Sequence, residues 1–295
     1  MILLSALVGV APAAEAQAPE PRVLVKQPYY LGLHEAEGAA RGTILLLHGG
    51  GWRGDLGPAA DELMSATIEA LVEWGYDVAN LGYRSGGRSL DDAADAFDLL
   101  RRRLGPGEPL CIYGTSAGAQ LALVTAARRG SEVDCVVSLL GPPDLEDFGS
   151  KPNSSRGEAQ ARAAFGAANL TEVSPLNNAD RITVPVLVGA APCDVFIELG
   201  DQRELVRRLK AAGTDAQLGV IAPGDDVDLE HCVVDGKSFD RFQQRTRAFL
   251  NAVAPAPEAA DPAPDDDGSS FPFGLVLGGA GALAGLLLLV RSLRR

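Results

Sequence analysis

The feature that most constrains the fold is a regular alternation of short aliphatic runs with longer amphipathic stretches through the body of the chain. The predicted strands are 43–48, 77–82, 109–114, 134–140, 184–190 and 216–222, and the predicted helices are 59–74, 89–104, 117–129, 196–212 and 237–253. Near-continuous apolar strands that alternate with helices predict an α/β fold, with a mostly parallel sheet covered by helices on both faces. Ligands bind such sheets beyond the carboxyl ends of the strands, so functional residues are expected there.

The two ends of the chain differ in composition from this body. Residues 1–18 combine an apolar run that is too short to span a bilayer with a small-residue stretch, which predicts a secretory signal peptide. Residues 254–270 are rich in Pro and Asp and predict an extended linker. Residues 271–290 carry no charge and are followed by an arginine-containing tail, 291–295. We therefore expect a transmembrane helix over 271–290, and the alternative is a buried core helix.

The charge pattern predicts where the body lies. Arginines at 291–295 stay in the cytoplasm by the positive-inside tendency, so residues 19–253 are expected outside it. The expected location is a bacterial cell surface or periplasm, with the body tethered to the membrane. A net charge of −13 argues against a nucleic-acid partner.

A first candidate for chemistry follows the predicted strand 109–114. The sequence "GTSAG" places Gly114 and Gly118 around Ser116, between a strand and a helix. In this turn the residues two before and two after the serine must lack bulk, and the serine is lifted clear of the sheet at a helix N-terminus. The alternative is a glycine-rich strand-to-helix turn with no catalytic role. We predict that Ser116 is a nucleophile.

A second candidate is "HGGGW" at residues 48–52, which also follows a strand. Successive glycines let backbone N–H groups turn toward a developing negative charge. With the N–H of Ala117, those of Gly49 and Gly50 are predicted to form an oxyanion hole. The alternative is a flexible loop, which the pairing with the serine turn disfavours.

These motifs resemble the esterase and lipase branch of the α/β-hydrolases that carries an HGGG sequence, which includes hormone-sensitive-lipase-like and small bacterial carboxylesterases. The segments "NLGYRS" (80–85), "SLDDAADAFDLLRRRL" (89–104) and "SPL" (174–176) are similar to further parts of that branch. The resemblance covers about residues 40–250. The chain departs from the commonest motif by Thr115 before the serine and by "AQ" after Gly118.

The resemblance implies a catalytic triad in the chain order nucleophile, acid, base. It assigns the acid to Asp194, which follows the strand 184–190, and the base to His231, on the loop after the last predicted strand. Asp194 is also a possible N-cap of the helix 196–212. Rival acids are Asp144 and Asp201. The resemblance implies no cofactor, and no His or Cys spacing in the chain fits a zinc site.

The four cysteines allow disulfides if the protein is exported. If Asp194 and His231 touch, the neighbouring Cys193 and Cys232 are close enough to bridge, and we predict that disulfide. The alternative is two thiols near the site. Cys111 and Cys135 lie inside predicted strands and are expected to be buried thiols rather than a second bridge.

Residues 142–182 are polar and alanine-rich, with one short helix expected at 157–168, and predict a small lid. The lid lacks bulky apolar faces, which favours short-acyl or soluble esters as substrates. A serine peptidase of the same fold and an inactive surface binding module are the alternatives to a carboxylesterase.

Overall fold

The computed structural model describes residues 20–222 and 237–255. The chain divides into two units, Met1–Pro257 and Glu258–Arg295, and every described residue belongs to the first. The predicted signal peptide and the predicted transmembrane segment 271–290 lie outside the described residues. Within the described ranges, no helix has the length and apolar character needed to cross a bilayer.

Eight strands form one sheet, and six of them are the strands that the alternating pattern predicts. In chain order they are β1 (Arg22–Val25), β2 (Tyr30–His34), β3 (Thr43–Leu47), β4 (Asp77–Gly82), β5 (Leu110–Thr115), β6 (Cys135–Leu139), β7 (Val186–Ala190) and β8 (Ala216–Val220). The spatial order is β1-β2-β4-β3-β5-β6-β7-β8. In this order, every pair of neighbouring strands from β4 onward is parallel. The predicted mostly parallel sheet is therefore confirmed.

The antiparallel edge formed by β1 and β2 was not predicted. β1 has only four residues and two of them are exposed, so it carries little apolar pattern. β2 has four consecutive buried residues, but they are few and lie next to polar loops. Short segments of this kind give no periodic signal in sequence.

The helices occupy nearly the predicted places. They are α1 (Ala59–Leu63), α2 (Ser65–Glu73), α3 (Arg88–Arg103), α4 (Ala117–Arg129), α5 (Ser154–Phe165), α6 (Leu170–Val173), α7 (Leu199–Ala211) and α8 (Lys237–Val253). The predicted helix 59–74 is broken at Met64, whose φ of −107° and ψ of 10° lie outside the helical region. The lid helix α5 begins three residues before the predicted one, and the lid adds the single turn of α6.

Two apolar cores lie on the two faces of the sheet. One core contains residues of α3, α4 and α7, such as Phe97, Leu121 and Leu205. The other contains residues of α2 and α8, such as Leu71 and Phe249. The inner strands β3, β6 and β7 are buried at every residue, which is the reason why they read as continuous apolar runs.

The expectation of two buried thiols in the central strands is wrong. Cys111 on β5 and Cys135 on β6 form a disulfide, with their Cα atoms 4.6 Å apart. The two residues are direct partners in the parallel register, so their side chains meet on one face of the sheet. The sequence indicates two strands, but their register is set by the packed sheet.

Candidate active site

Ser116 lies in the strained turn that its motif predicts. It joins the end of β5 to the start of α4, with φ of 50° and ψ of −120°. A positive φ is unfavourable for a residue with a side chain, so the surrounding structure must hold it there. The Ser116 N–H donates to the carbonyl oxygen of Leu139 on β6 at 2.8 Å, which fixes the turn to the neighbouring strand.

The two flanking glycines are required by backbone contacts. A Cβ atom on Gly114 would lie 2.6 Å from the backbone nitrogen of Ala119, and one on Gly118 would lie 2.6 Å from the carbonyl carbon of Leu47. Both contacts are with main chain, which cannot move aside as a flexible side chain can. The G-x-S-x-G spacing is therefore the condition for α4 to start directly against β3 and β5.

The glycine loop after β3 lies beside the serine. A Cβ built on Gly49 would be 3.1 Å from the Cβ of Ser116, and Gly50 and Gly51 have φ of 106° and 63°. The N–H groups of Gly49, Gly50 and Ala117 have no acceptor in the described part of the chain. Three donors thus lie next to the serine at one end of the sheet, which is the arrangement that an oxyanion hole requires.

His48 and Tyr83 hold this loop from behind. The Tyr83 hydroxyl donates to the carbonyl oxygens of His48 at 2.9 Å and Gly49 at 3.2 Å. The two rings stack with their centroids 4.0 Å apart. His48 Nδ1 lies 2.6 Å from the Gly49 carbonyl oxygen, which can only accept, so Nδ1 carries the proton. Complete burial of His48 lowers its pKa, so it stays neutral and supports the loop.

A buried hydrogen-bond chain connects the loop to the nucleophile helix and the lid. The indole N–H of Trp52 donates to Gln120 Oε1 at 2.8 Å, and Gln120 Nε2 donates to the Val173 carbonyl oxygen at 2.7 Å. Trp52 also packs edge-on against Phe165 of α5. This chain gives a role to Gln120, one of the positions at which the sequence departs from the commonest motif.

Asp194 is buried close to the same site. It follows β7, and its Oδ1 accepts hydrogen bonds from the backbone N–H groups of Phe196 at 2.8 Å and Ile197 at 3.0 Å. The reading of Asp194 as a helix N-cap is wrong, because α7 begins at Leu199 and Asp194 closes a tight turn ahead of it.

The two rival acids have other surroundings. Asp144 accepts hydrogen bonds from the Glu146 N–H at 2.9 Å and from the Ser174 hydroxyl at 3.4 Å in the lid. Asp201 lies in the first turn of α7. Burial and the nearby Glu198, Asp147 and Asp144 raise the pKa of Asp201 to about 6.

His231 and Cys232 lie outside the described residues, so the base and the Cys193–Cys232 bridge stay predictions. Within the described ranges, no cysteine is a free thiol. The other two histidines have structural surroundings of their own, since His34 Nε2 lies 3.1 Å from Asp61 Oδ1 and His48 is in the core.

A cavity of about 510 Å³ opens above Ser116. The described residues that line it include Ser116, Ala117, Gly49 and Gly50, and the walls carry Trp52, Phe148, Phe196, Ile197 and Phe239. The backbone N–H groups of Phe196 and Ile197 both donate to Asp194, so the buried carboxylate lies directly behind this wall. Among the described residues, no group of three His, Cys, Asp or Glu side chains could hold a metal ion.

Several of these residues were not predicted from the sequence. Tyr83 lies in the segment "NLGYRS" (80–85), one of those that resemble the family, and the next residue, Arg84, forms an ion pair with the buried Asp92 at 2.5 Å. The contacts of Trp52, Gln120 and Phe196 join distant parts of the chain. Of these three residues, only Trp52 has a local signal in the sequence, because it directly follows three glycines at the candidate site.

Comparisons with known proteins agree with this geometry. Residues 31–209 match the BD-FAE family model. Carboxylesterase/phospholipase LipF of Mycobacterium tuberculosis is 26% identical over 223 residues, which cover 67% of this chain and 57% of that protein. Dipeptidyl aminopeptidase BIII of Pseudoxanthomonas mexicana is 24% identical over 189 residues, 57% of this chain and 27% of that protein. The chain therefore spans about half or less of the length of these curated relatives.

Solved structures share the fold. Thermogutta terrifontis esterase 2, phosphonylated by sarin, aligns with a TM-score of 0.65 at 17% identity, over 81% of this chain and 96% of that one. Carboxyl esterase 2 of Tuber melanosporum aligns with a TM-score of 0.65 at 15% identity, over 81% of this chain and 89% of that one. The family match covers more than half of the chain and includes the glycine loop, the serine turn and Asp194. The chain belongs to the BD-FAE family, in the carboxylesterase and lipase branch of the α/β-hydrolase superfamily.

Proposed function

We propose that the protein is a serine hydrolase that cleaves carboxylic esters through an acyl-enzyme on Ser116. The observation that carries the proposal is the strained turn of Ser116 beside one cavity, together with three backbone N–H groups that have no acceptor among the described residues. A positive φ is energetically unfavourable for a serine. Such strain is typical of a turn that exposes the hydroxyl of a nucleophile to its substrate. Family membership and the similarity to LipF support the same chemistry.

In the proposed mechanism His231 removes the proton of the Ser116 hydroxyl, and the oxygen attacks the ester carbonyl carbon. The N–H groups of Gly49, Gly50 and Ala117 bind the oxyanion. His231 then gives the proton to the leaving alcohol, and water releases the acyl group by the same steps. Asp194 orients the imidazole, and its own position is fixed by the two backbone donors on Oδ1.

The experiment is to label the purified full chain with a fluorophosphonate probe, alongside Ser116→Ala, Asp194→Asn and His231→Gln. Hydrolysis of 4-nitrophenyl acetate and butyrate is measured in parallel. We expect loss of labelling in Ser116→Ala and losses of activity of about 10³-fold or more in the other two. Equal labelling of the wild type and Ser116→Ala would show that another residue is the nucleophile.

The substrates are proposed to be short-acyl or otherwise soluble esters. The main lid helix, α5, is short and carries several polar residues, and the cavity volume of about 510 Å³ suits a small molecule. A series of 4-nitrophenyl esters with two to twelve acyl carbons tests this part, with the largest kcat/KM expected for the short members.

The proposed location is outside the cytoplasm, tethered to the membrane by residues 271–290. The disulfide between Cys111 and Cys135 supports it, because stable disulfides form mostly in oxidising compartments. Protease added to intact cells is expected to remove the hydrolase body, while a cytoplasmic control protein survives. Protection of the body until the cells are lysed would contradict the location.

A serine peptidase is the second candidate, because one curated relative is a dipeptidyl aminopeptidase. The two activities are separated by offering dipeptidyl 4-nitroanilides and 4-nitrophenyl esters to the same preparation. We expect ester hydrolysis that depends on Ser116 and little anilide hydrolysis; the reverse ranking would make the peptidase the better assignment.

A further inference from the structure

The described lining of the cavity above Ser116 has two chemically different sides. On the side of α2 and α8 it presents Met64, Leu139, Leu140 and Phe239, which belong to or pack on the apolar core of that face. Leu63 extends this apolar side and is 58% exposed. On the side of the glycine loop and α5, the lining presents the polar side chains of Arg53, Arg156 and Gln160.

Arg53 is placed next to the oxyanion donors. Its Nε donates to the Gly50 carbonyl oxygen at 3.4 Å, and its backbone N–H donates to the same oxygen at 3.3 Å. These bonds fold the side chain against the loop. In the described part of the chain, the two terminal nitrogens of Arg53 have no hydrogen-bond acceptor. A guanidinium presents its donors in a planar fork that matches a carboxylate.

The lid helix adds polar groups on the same side. The amide of Gln160 lies against Gly51, since a Cβ on that glycine would be 2.7 Å from Gln160 Oε1. The Arg156 guanidinium carbon lies 5.4 Å from the centre of the Phe196 ring on the cavity wall. Among the described lining residues, the charged side chains are both arginines and none is a carboxylate. The described lining is therefore positively charged, whereas the whole chain has a net charge of −13.

We infer that the cavity takes esters that carry a carboxylate on the part of the substrate facing α5, and that Arg53 recognises this group. The apolar part of the same substrate lies toward Met64 and Phe239. The inference rests on the proposed serine hydrolase function and specifies its substrate class.

The test compares anionic esters with neutral analogues of equal size. The two members of the first pair differ in the acyl group: one is the mono-4-nitrophenyl ester of adipate, and the other is the same ester with its free carboxylate converted to a primary amide. The other pair differs in the leaving group, the butyrate esters of 3-hydroxybenzoate and 3-hydroxybenzamide. Binding to the full chain with Ser116→Ala is measured by calorimetry at about 0.15 M salt, where long-range repulsion by the net charge is screened.

We expect one of the two anionic esters to bind about tenfold more tightly than its amide, as suits one charge-assisted contact at a partly exposed site. Arg53→Met in the same background is expected to abolish the preference, and Arg53→Lys to keep part of it. Arg102→Met is the matched control, because it removes one exposed arginine on α3 that does not line the cavity.

Equal affinities within both pairs, or a preference that survives Arg53→Met, would overturn the inference. An equal loss in Arg102→Met would assign the effect to overall charge and would overturn it as well. Thermal denaturation of Arg53→Met and Arg53→Lys shows whether both are folded. Because binding is measured without turnover, its result is distinct from a failure of the wild type to hydrolyse any ester, which would contradict the proposed function.

Discussion

At the scale of single residues, the backbone of the candidate site is held in place by a few glycines, one strained turn and one buried hydroxyl group. Gly118 has no space for a Cβ, Ser116 is held at positive φ, and Tyr83 donates to two carbonyl oxygens of the glycine loop. Each of these features fixes a backbone position within the site. Substitutions here are therefore expected to change activity more than their size suggests.

Gly118→Ala is expected to damage both stability and activity. The new methyl group would overlap the main chain at Leu47, which must then shift together with β3. We expect the free energy of unfolding to fall by about 1–3 kcal/mol and kcat/KM for ester hydrolysis to fall by about 10²-fold. The control is Gly200→Ala in α7, where a Cβ meets nothing within 4 Å; it should leave stability equal or higher. Normal activity of Gly118→Ala would contradict the steric argument.

Tyr83→Phe is expected to lower kcat more than it changes KM. Burial raises the pKa of Tyr83, so the hydroxyl stays protonated and donates to the His48 and Gly49 carbonyl oxygens. Without it, the loop donors are less well aimed at the oxyanion, and we expect about a tenfold loss in kcat. Tyr76→Phe removes a comparable hydroxyl bonded to Asn251 at 3.0 Å, away from the cavity. It should lower stability alone, so an equal loss of kcat in both variants would reject the role of Tyr83.

At the scale of elements, strands β5 and β6 and helix α7 carry interactions that no single motif indicates. The disulfide joins β5 to β6 below the serine turn, and the start of α7 faces acidic residues of the lid. Glu198, just before α7, accepts hydrogen bonds from the N–H of Ser150 at 2.7 Å and from its hydroxyl at 2.8 Å. The lid is therefore attached to α7 through side chains.

The disulfide is expected to stabilise the fold. Its cysteines are separated by 24 residues, and closing a loop of that size in the unfolded chain is worth about 3 kcal/mol. Urea denaturation of the Cys111→Ala/Cys135→Ala protein should show a loss of this order. Non-reducing peptide mapping of the wild type should recover the two cysteines linked, and recovery of free thiols at these positions would contradict the structure.

Asp201→Asn is expected to stabilise the protein at neutral pH and to leave ester hydrolysis intact. The folded protein holds the Asp201 proton up to a pKa of about 6, above the usual value of an aspartate. Asp201 therefore makes its full contribution to the stability of the folded protein below about pH 4, and this contribution is lost as the pH rises through about 6. We expect a gain of up to about 1 kcal/mol in the variant at pH 7, allowing for solvent screening, and none near pH 4.

Urea denaturation of the wild type and Asp201→Asn between pH 4 and pH 7 measures this difference. An advantage of the variant that is independent of pH would reject the titration argument. Loss of hydrolysis in Asp201→Asn would favour Asp201 over Asp194 as the acid of the triad.

At the scale of the whole molecule, the site is assembled from the ends of several parallel strands. β3 leads to the glycine loop, β5 to Ser116, β6 to the Leu139 carbonyl oxygen, and β7 to Asp194. Parallel neighbours end at the same edge of the sheet, so residues far apart in sequence meet there. The residues named here all lie within the described range 20–222.

A truncated protein that ends at Pro255 is therefore expected to be folded, soluble and reactive with a fluorophosphonate. The full chain is expected to fractionate with membranes, because the segment 271–290 has the length and composition of a membrane span. Size-exclusion chromatography and labelling of both proteins measure the difference. Aggregation of the truncated protein would indicate that the C-terminal segment packs on the body.

The sequence by itself determined the α/β class, six of the eight strands that the described residues form, and the turn of Ser116 with its glycine loop. These are local properties: apolar runs reveal buried strands, and the motif around Ser116 is a short strand-to-helix turn in which Gly114 lies against the backbone of Gly118 and Ala119. The family resemblance placed the expected acid at Asp194, and the structure describes that residue as buried behind the cavity wall.

Only the tertiary structure decided which distant residues are partners. It paired Cys111 with Cys135 through the strand register, and it joined Trp52 to Gln120 and the lid. It also aligned the Tyr83 hydroxyl with the glycine loop and brought Arg53 to the mouth of the cavity. These contacts depend on the register of strands and on the packing of loops, and neither leaves a periodic pattern in the chain.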